Sequence, residues 1–465
     1  MLEALRDAEG RATTVTRLQS LFSGGNLTAR IIRAAFFSIG SFGLSQGIRL
    51  VSNLLLTRIL FPEAFGLMGL VNVLLIGLAM FSDVGIGPAI ARSPRGDERD
   101  FLDTAWTLQI LRGLLLFFMG CPLAWPLSAL YGEPLLVGML SLASAQLLIA
   151  GFLPTRRETA NRHLRLGRLL FLDLASQAIS LVVMVLLALW LESVWALVLG
   201  SLVGVALQVA LSAFYLPGSP NRLRLEGPAV RELLHFGKWI FLRTVFGFLV
   251  TQGDKLILGK FLPLDAFGIY GIGFFLGSFP SMLGGVAIIR LLIPIYRERP
   301  PGESRDNFLK LRRMRVMVTG GLIALAALAA MVGVWLVDVL YDERYHSAGA
   351  VAVLVACLQI PSIIGLTYDH AALAAGDSRR FFFATFVRAT LTIIGLFVGV
   401  QLFGLTGALI GQWLALILSY PALVWLVARL GAWDPLHDLG FALLGALVTV
   451  AALWNSWTEI VALAG

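Results

Sequence analysis

Residues 63–69 read EAFGLMG, and residues 265–271 read DAFGIYG. Four of the seven positions are identical, and Glu63/Asp265 and Leu67/Ile269 exchange like for like. The likeness extends without a gap over TRILFPEAFGLMGL (57–70) and GKFLPLDAFGIYGI (259–272). Each copy lies between two long apolar runs, so one shift of 202 residues lays 34–57 on 236–259 and 64–91 on 266–293. Self-similarity at a fixed offset marks a duplicated structural unit.

Composition decides what kind of unit is duplicated. Hydrophobic residues make up 58% of the chain, charged residues 14%, and the mean hydropathy is +0.84. That leaves too little polar surface to coat a soluble globule of 465 residues. The apolar runs are long enough to cross a hydrocarbon core of roughly 30 Å as helices. A barrel would need short alternating strands, and no such alternation is present. Apolar runs and their Pro, Gly and charged breaks predict spans at 34–57, 64–91, 104–130, 134–154, 169–190, 193–216, 236–260, 266–295, 314–340, 347–375, 381–402, 405–428 and 437–454. The final EIVALAG is too short for a fourteenth.

Six spans separate the two copies of the repeated phrase, and an even number gives both copies one orientation. The chain reads as an all-α polytopic membrane protein of two parallel six-helix lobes, with one or two extra C-terminal helices. The lobes are related by a two-fold axis along the membrane normal. We expect an N-terminal segment at 1–33, a first lobe at 34–216, a linker at 217–235, a second lobe at 236–430 and a C-terminal extension at 431–465. The N-terminal segment is polar, and no cleavable leader is expected in it.

The formal charge of +8 raises the question of a nucleic-acid partner. Its distribution answers it. Alternate loops hold 27 of the 36 Lys and Arg, including Arg92, Arg95 and Arg99, and Arg156, Arg157, Arg162, Arg165 and Arg168. The opposite loops hold only Arg58, Lys260 and Arg344. This is the positive-inside pattern, and it predicts a cytoplasmic N-terminus. A nucleic-acid-binding protein would gather such charge on one face, so no nucleic-acid partner is expected.

Cys121 and Cys357 fall inside apolar spans and read as small buried hydrophobes. The five His are scattered, and no zinc, phosphate-loop or nucleophile-elbow motif occurs. No metal, cofactor or catalytic activity is expected.

Charge at membrane depth marks the candidate site. Ser38, Ser41, Ser45, Arg49 and Ser52/Asn53 recur at helical spacing and draw one stripe down the first span. Arg243, Gly247, Thr251 and Asp254/Lys255 do the same in the seventh. At the 202 offset the stripes coincide, Arg49 falling on Thr251 and Asn53 on Lys255. A mid-membrane Arg costs about 2.5–3.5 kcal/mol on insertion scales, so it should face a wet cavity or a partner. Arg49, Arg243, Lys255, Asn53, Thr251 and Asp254 are therefore expected to line a cavity between the lobes. Arg112 and Asp83 join them either as substrate contacts or as a structural ion pair. Arg290 and Arg388 lie within snorkelling reach of the basic edge. Asp369 and His370 read either as a proton-linked pair or as local hydrogen bonding. DVGIGPA (83–89) and FPSMLGG (279–285) interrupt corresponding helices, which nominates Gly85, Gly87, Pro88, Pro280, Gly284 and Gly285 as hinges.

The stretch 43–92 resembles the oligosaccharide flippases of bacterial polysaccharide export, within the multidrug/oligosaccharidyl-lipid/polysaccharide exporter superfamily. The likeness rests on Leu56, Thr57, Arg58, Leu60, Pro62, Phe65 and Gly66 in the first turn, then on Phe81, Asp83 and Gly85. TRRETANRHLRLGRLLFLD (155–173) is similar to the basic loop after that family's fourth helix. The resemblance implies an alternating-access transporter for undecaprenyl-pyrophosphate-linked oligosaccharides, acting as a monomer beside glycosyltransferases and a polymerase. A multidrug cation antiporter and a peptidoglycan-precursor flippase are the alternatives it leaves open. The first span carries no acidic residue to attract a cation, and the basic stripes suit an anionic lipid pyrophosphate.

Overall fold

In the computed structural model the described residues are 27–83, 85–298, 300–375 and 377–464. Within them, the side chains of 27–36, 235–243 and several positions in 290–297 and 369–378 lie outside the description. Residues 1–26 of the expected N-terminal segment 1–33 and the Arg243, Arg290, Asp369 and His370 side chains therefore fall outside it, while 27–33 form the start of the first helix.

The first lobe comprises α1 (Leu27–Ile59), α2 (Pro62–Phe81), α3 (Ile86–Arg92), α4 (Arg99–Tyr131), α5 (Leu135–Gly151), α6 (Arg156–Arg162), α7 (Leu166–Leu191) and α8 (Trp195–Tyr215). The second comprises α9 (Gly227–Phe261), α10 (Leu264–Glu298), α11 (Arg305–Leu340), α12 (Ala348–Ala374) and α13 (Ser378–Ala428). Then come α14 (Pro435–Asn455) and the short α15 (Trp457–Ala464). Among the described residues, nine helices are long and apolar enough to cross a membrane. The pair α5 and α6, bent by 63°, makes a tenth. The stripe-bearing α1 and α9 are not among the nine, consistent with the polar stripes they carry. This is a multi-pass membrane protein.

Helix pairing repeats between the lobes. α1 packs on α7 as α9 packs on α13, α4 on α5 as α11 on α12, and α2 on α5 as α10 on α12. Across the lobes, α2 meets α9 and α10, and α1 meets α10. The first two helices of each lobe thus form the inter-lobe seam, with its core around Leu67, Leu70, Leu258, Phe267 and Tyr270.

The repeated phrase sits at the Arg-poor end of this seam. A Cβ added at Gly66 would lie 2.0 Å from the Leu264 carbonyl oxygen, and one at Gly268 would lie 2.0 Å from that of Pro62. Gly66 and Gly268 are equivalent at the 202 offset, and so are Pro62 and Leu264. The phrase is written twice because each copy supplies the glycine against which the other's turn packs. Only a residue without a side chain lets the two backbones come so close.

Several boundaries differ from those read in the sequence. The expected span 64–91 is broken: α2 ends at Phe81, and α3 starts after Gly85, whose φ of 65° is left-handed. The Asp83 carboxylate accepts from the Gly85 N–H at 2.9 Å and holds the turn. In the second lobe Gly285 stands where Asp83 does and Ala287 where Gly85 does. Lacking both parts of the turn, α10 runs unbroken past Pro280, Gly284 and Gly285. α9 begins at Gly227, inside the expected linker 217–235, because Pro228 occupies the first turn, where its missing N–H costs nothing. α13 runs through both 381–402 and 405–428 but kinks between them at Phe403 and Gly404, leaving two helices.

Candidate functional site

Arg49 and Lys255 come to one element from opposite lobes. The Arg49 guanidinium lies 4.8 Å from the centre of the Phe275 ring, and the Lys255 ammonium 4.8 Å from that of Phe274. The two rings are neighbours on α10, so the two cations flank that helix. Counting from the Arg-poor helix ends, they lie roughly 15 Å and 9 Å in, at 1.5 Å per residue. Arg49 is exposed and Lys255 half-buried. Lys255 also donates to the Gln252 side-chain oxygen at 3.0 Å. Neither cation is ion-paired with a described carboxylate. A ring face is worth about 0.5–2 kcal/mol to a cation, enough to orient it while leaving its charge uncompensated.

Other stripe residues divide between this site and packing. Asn53 is half-buried one turn beyond Arg49. Asp254 turns from Lys255 into the seam, 3% exposed, and accepts a 2.5 Å hydrogen bond from the Tyr270 hydroxyl. Thr251 bonds back to the Gly247 carbonyl at 2.9 Å, and both line a cavity of about 190 Å³ inside the second lobe. Arg388 lines that cavity too, donating to the Ser362 hydroxyl at 3.1 Å. It points into the bundle rather than out to the basic edge, where snorkelling would have placed it.

Arg112 belongs to the α2 break. It donates to the Ser82 hydroxyl at 2.9 Å and to the Ala79 carbonyl at 2.5 Å, while Asp83 is 4.0 Å away. It donates to one carbonyl of the last turn of α2, where the helix end leaves such groups without an intrahelical partner. In this arrangement Arg112 and Asp83 serve the broken helix, the structural side of the alternative above. Of the hinge candidates, Gly85 forms the break, Gly87 packs under Glu158, and Pro88 is exposed.

Phe274, Phe275 and Gln252 were not singled out from sequence. Two adjacent Phe in an apolar span carry the same pattern as core, so only their ring contacts reveal them.

At the Arg-poor end the lobes are also tied by polar bonds to backbone. Arg344 donates to the Thr57 carbonyl at 3.0 Å, Tyr345 to that of Leu60 at 3.0 Å, and Lys260 to that of Leu130. At the basic end α1 meets α10 through side chains, with Phe42 stacked on Phe279 and Gln46 against the Met282 sulfur. Arg95 and Glu226 join the loop after α3 to the start of α9 at 2.9 Å. The Glu226 and Glu98 bonds raise the pKa of that guanidinium, so it stays charged.

Two lobes meeting through the first two helices of each define the class: this is the fold of the multidrug/oligosaccharidyl-lipid/polysaccharide exporters. The lipid II flippase MurJ in its inward closed conformation superposes with a TM-score of 0.65 at 12% identity, over 92% of this chain and 99% of that one. An outward-facing multidrug resistance MATE family transporter superposes with a TM-score of 0.58 at 15% identity, over 89% and 98%. The profile of the family described as polysaccharide biosynthesis protein matches residues 55–350, and the chain belongs to that family. The lipopolysaccharide biosynthesis protein WzxC of Escherichia coli (strain K12) is 23% identical over 413 residues, 85% of this chain and 81% of that protein. The teichuronic acid biosynthesis protein TuaB of Bacillus subtilis (strain 168) is 21% identical over 345 residues, 72% of this chain and 69% of that protein. Family and fold together support a transporter role.

Proposed function

We propose that the protein is an alternating-access flippase that moves undecaprenyl-pyrophosphate-linked oligosaccharide repeat units from the cytoplasmic to the outer leaflet of a bacterial inner membrane. The observation that carries this reading is the pair Arg49 and Lys255. One cation from each lobe is held at depth by a ring, without a described carboxylate partner. Such a pair suits a pyrophosphate and repels a cationic drug. The printed names of the relatives, which concern lipopolysaccharide and teichuronic acid, support a glycan as the rest of the substrate.

In this reading the Arg-rich end is cytoplasmic and the glycine contact closes the outer end. The headgroup crosses between the lobes while its lipid stays in the bilayer. No bond is made or broken, and the chain works as a monomer between the glycosyltransferases that build the repeat unit and the polymerase that consumes it.

Deleting the gene tests this. Full-length lipid-linked repeat units should accumulate facing the cytoplasm and surface polysaccharide should be lost, with wild type but not Arg49→Ala restoring export. An antiporter deletion would instead leave polysaccharide intact and sensitise cells to cationic dyes. Outward-facing repeat units, in a strain with no second flippase, would end the proposal.

A further inference from the structure

At the Arg-rich end of the first lobe, α6, the start of α7 and the end of α8 enclose a cavity of about 300 Å³. Its wall includes Arg156, His163, Arg165, Gly167 and Arg168. Two of these side chains are already engaged. Arg156 donates to the carbonyls of Ala213, Leu216 and Ser219 at 3.1, 2.8 and 3.2 Å, closing the end of α8. His163 lies 2.9 Å from Asp97. Asp173, in the second turn of α7, is taken by Arg157 at 2.8 and 3.0 Å and by Gln208 at 3.0 Å.

Arg165 and Arg168 remain. They lie one turn apart, both exposed, and neither side chain has a hydrogen bond or ion pair with another described residue. Arg165 is the N-cap of the 26-residue α7 and makes no side-chain capping bond. The first-turn N–H groups of that helix therefore remain donors for an anion. A Cβ added at Gly167 would meet nothing within 4 Å, so the approach to them is clear.

What borders the cavity separates a lipid from a soluble ion. Phe171 continues the Arg165–Arg168 face by one more turn and is 69% exposed, while Phe214 and Tyr215 at the end of α8 are 82% and 63% exposed. An exposed Tyr beside basic residues at the end of a membrane helix marks the headgroup level of a bilayer, and the exposed Phe rings next to it offer apolar surface to acyl chains. A soluble anion has no use for them. An anionic lipid has, because its chains must run down the lobe beneath its phosphate. A zwitterionic headgroup would bring an ammonium to two guanidiniums, and Asp97 and Asp173 are already paired with other residues.

We infer that this cavity binds the phosphate of an anionic phospholipid between Arg165, Arg168 and the N-terminus of α7, with the acyl chains along Phe171, Phe214 and Tyr215. The site is separate from the inter-lobe cations and does not depend on what crosses between them.

The test is native mass spectrometry of the full-length, delipidated protein titrated with phosphatidylglycerol or with phosphatidylethanolamine of the same chains. Wild type should retain one phosphatidylglycerol at least tenfold more tightly than phosphatidylethanolamine. The pair variant Arg165→Ala plus Arg168→Ala should lose that preference, Arg165→Lys plus Arg168→Lys should keep part of it, and the charge-matched control Arg305→Ala plus Arg313→Ala should keep all of it. An unchanged thermal midpoint of the delipidated pair variant would show that its fold is intact. Equal retention by the pair variant and wild type, or equal binding of the two lipids, overturns the inference. Competition by inorganic phosphate at matched concentration also overturns it, as does an undecaprenyl-phosphate preference that the pair variant alone loses.

Discussion

Gly66→Ala puts the glycine contact under load. The new Cβ would lie 2.0 Å from the Leu264 carbonyl oxygen and 2.9 Å from its carbon, so the lobes must part by roughly 1 Å or more at that point. Alanine alone favours a helix over glycine by about 1 kcal/mol. Against this, overpacking costs about 1–3 kcal/mol. Parting the lobes also strains the Tyr345–Leu60 and Arg344–Thr57 bonds, each worth about 0.5–1.5 kcal/mol. The balance destabilises this closed arrangement by about 1–5 kcal/mol, roughly 5- to 4,000-fold in its population. Spin labels at Glu63→Cys and Asp265→Cys, both exposed positions, with Cys121 and Cys357 replaced by Ala, would report the separation by double electron–electron resonance. Wild type should give a short, narrow distance distribution, and Gly66→Ala a longer, broader one. Gly268→Ala should reproduce the effect, since its Cβ meets the Pro62 oxygen at the same 2.0 Å. Gly43→Ala, where a Cβ meets nothing within 4 Å, should change nothing. Superimposable distributions for wild type and Gly66→Ala would refute the reasoning.

Arg49→Ala and Arg243→Ala should each lower export at least tenfold with protein abundance near normal. The Lys variants should retain part, having charge without the bidentate fork, and normal export from both Ala variants would make the stripes packing seams. Lys255→Ala should lower export likewise, whereas Lys255→Arg, keeping a cation over Phe274, should lose less. Burial lifts the Tyr341 pKa to about 12, so above pH 10 the unfolded phenol releases its proton first; stability should fall between about pH 10 and 12, by about 2–3 kcal/mol, and Tyr341→Phe should flatten that limb of the thermal midpoint. An impermeant thiol reagent should label Glu192→Cys from outside and Ser304→Cys only after the membrane is opened; outside labelling of Ser304→Cys would overturn the parallel-lobe topology. Ser93, 6% exposed and bonded to Glu232 at 2.7 Å, is too buried to report on either side.

How legible each feature was depended on whether its cause lies within one segment. Spans are legible because hydrocarbon thickness sets the length of an apolar run, and even the α13 kink falls in the gap between 381–402 and 405–428. The α2 break was written in DVGIGPA. Its absence from α10 was readable only by asking, position by position, whether Asp83 and Gly85 had counterparts. The linker misled because Gly227–Pro228 looks like a loop and is also a good helix start. Arg49 and Lys255 stood out because charge at depth is costly. Their rings did not, because aromatic residues are at home in any apolar span. Asp254 was drawn beside Lys255 because they are neighbours in sequence, whereas its partner Tyr270 lies across the turn on the next helix.

That contrast separates what duplication keeps from what it releases. The closest contact between the lobes is made of backbone and two glycines, and it obeys the two-fold axis. Side chains along the same helices do not. Arg49 faces Thr251 across the offset, Asn53 faces Lys255, and Met68 stands where Tyr270 does. The rings that receive the two cations both come from α10, although a symmetric site would take one ring from each lobe. A scaffold that rocks about a two-fold axis needs symmetry only at its closing contact. The headgroup proposed above, with pyrophosphate at one end and sugars at the other, has no such symmetry, and a pocket to orient it would have to break the axis where the seam keeps it.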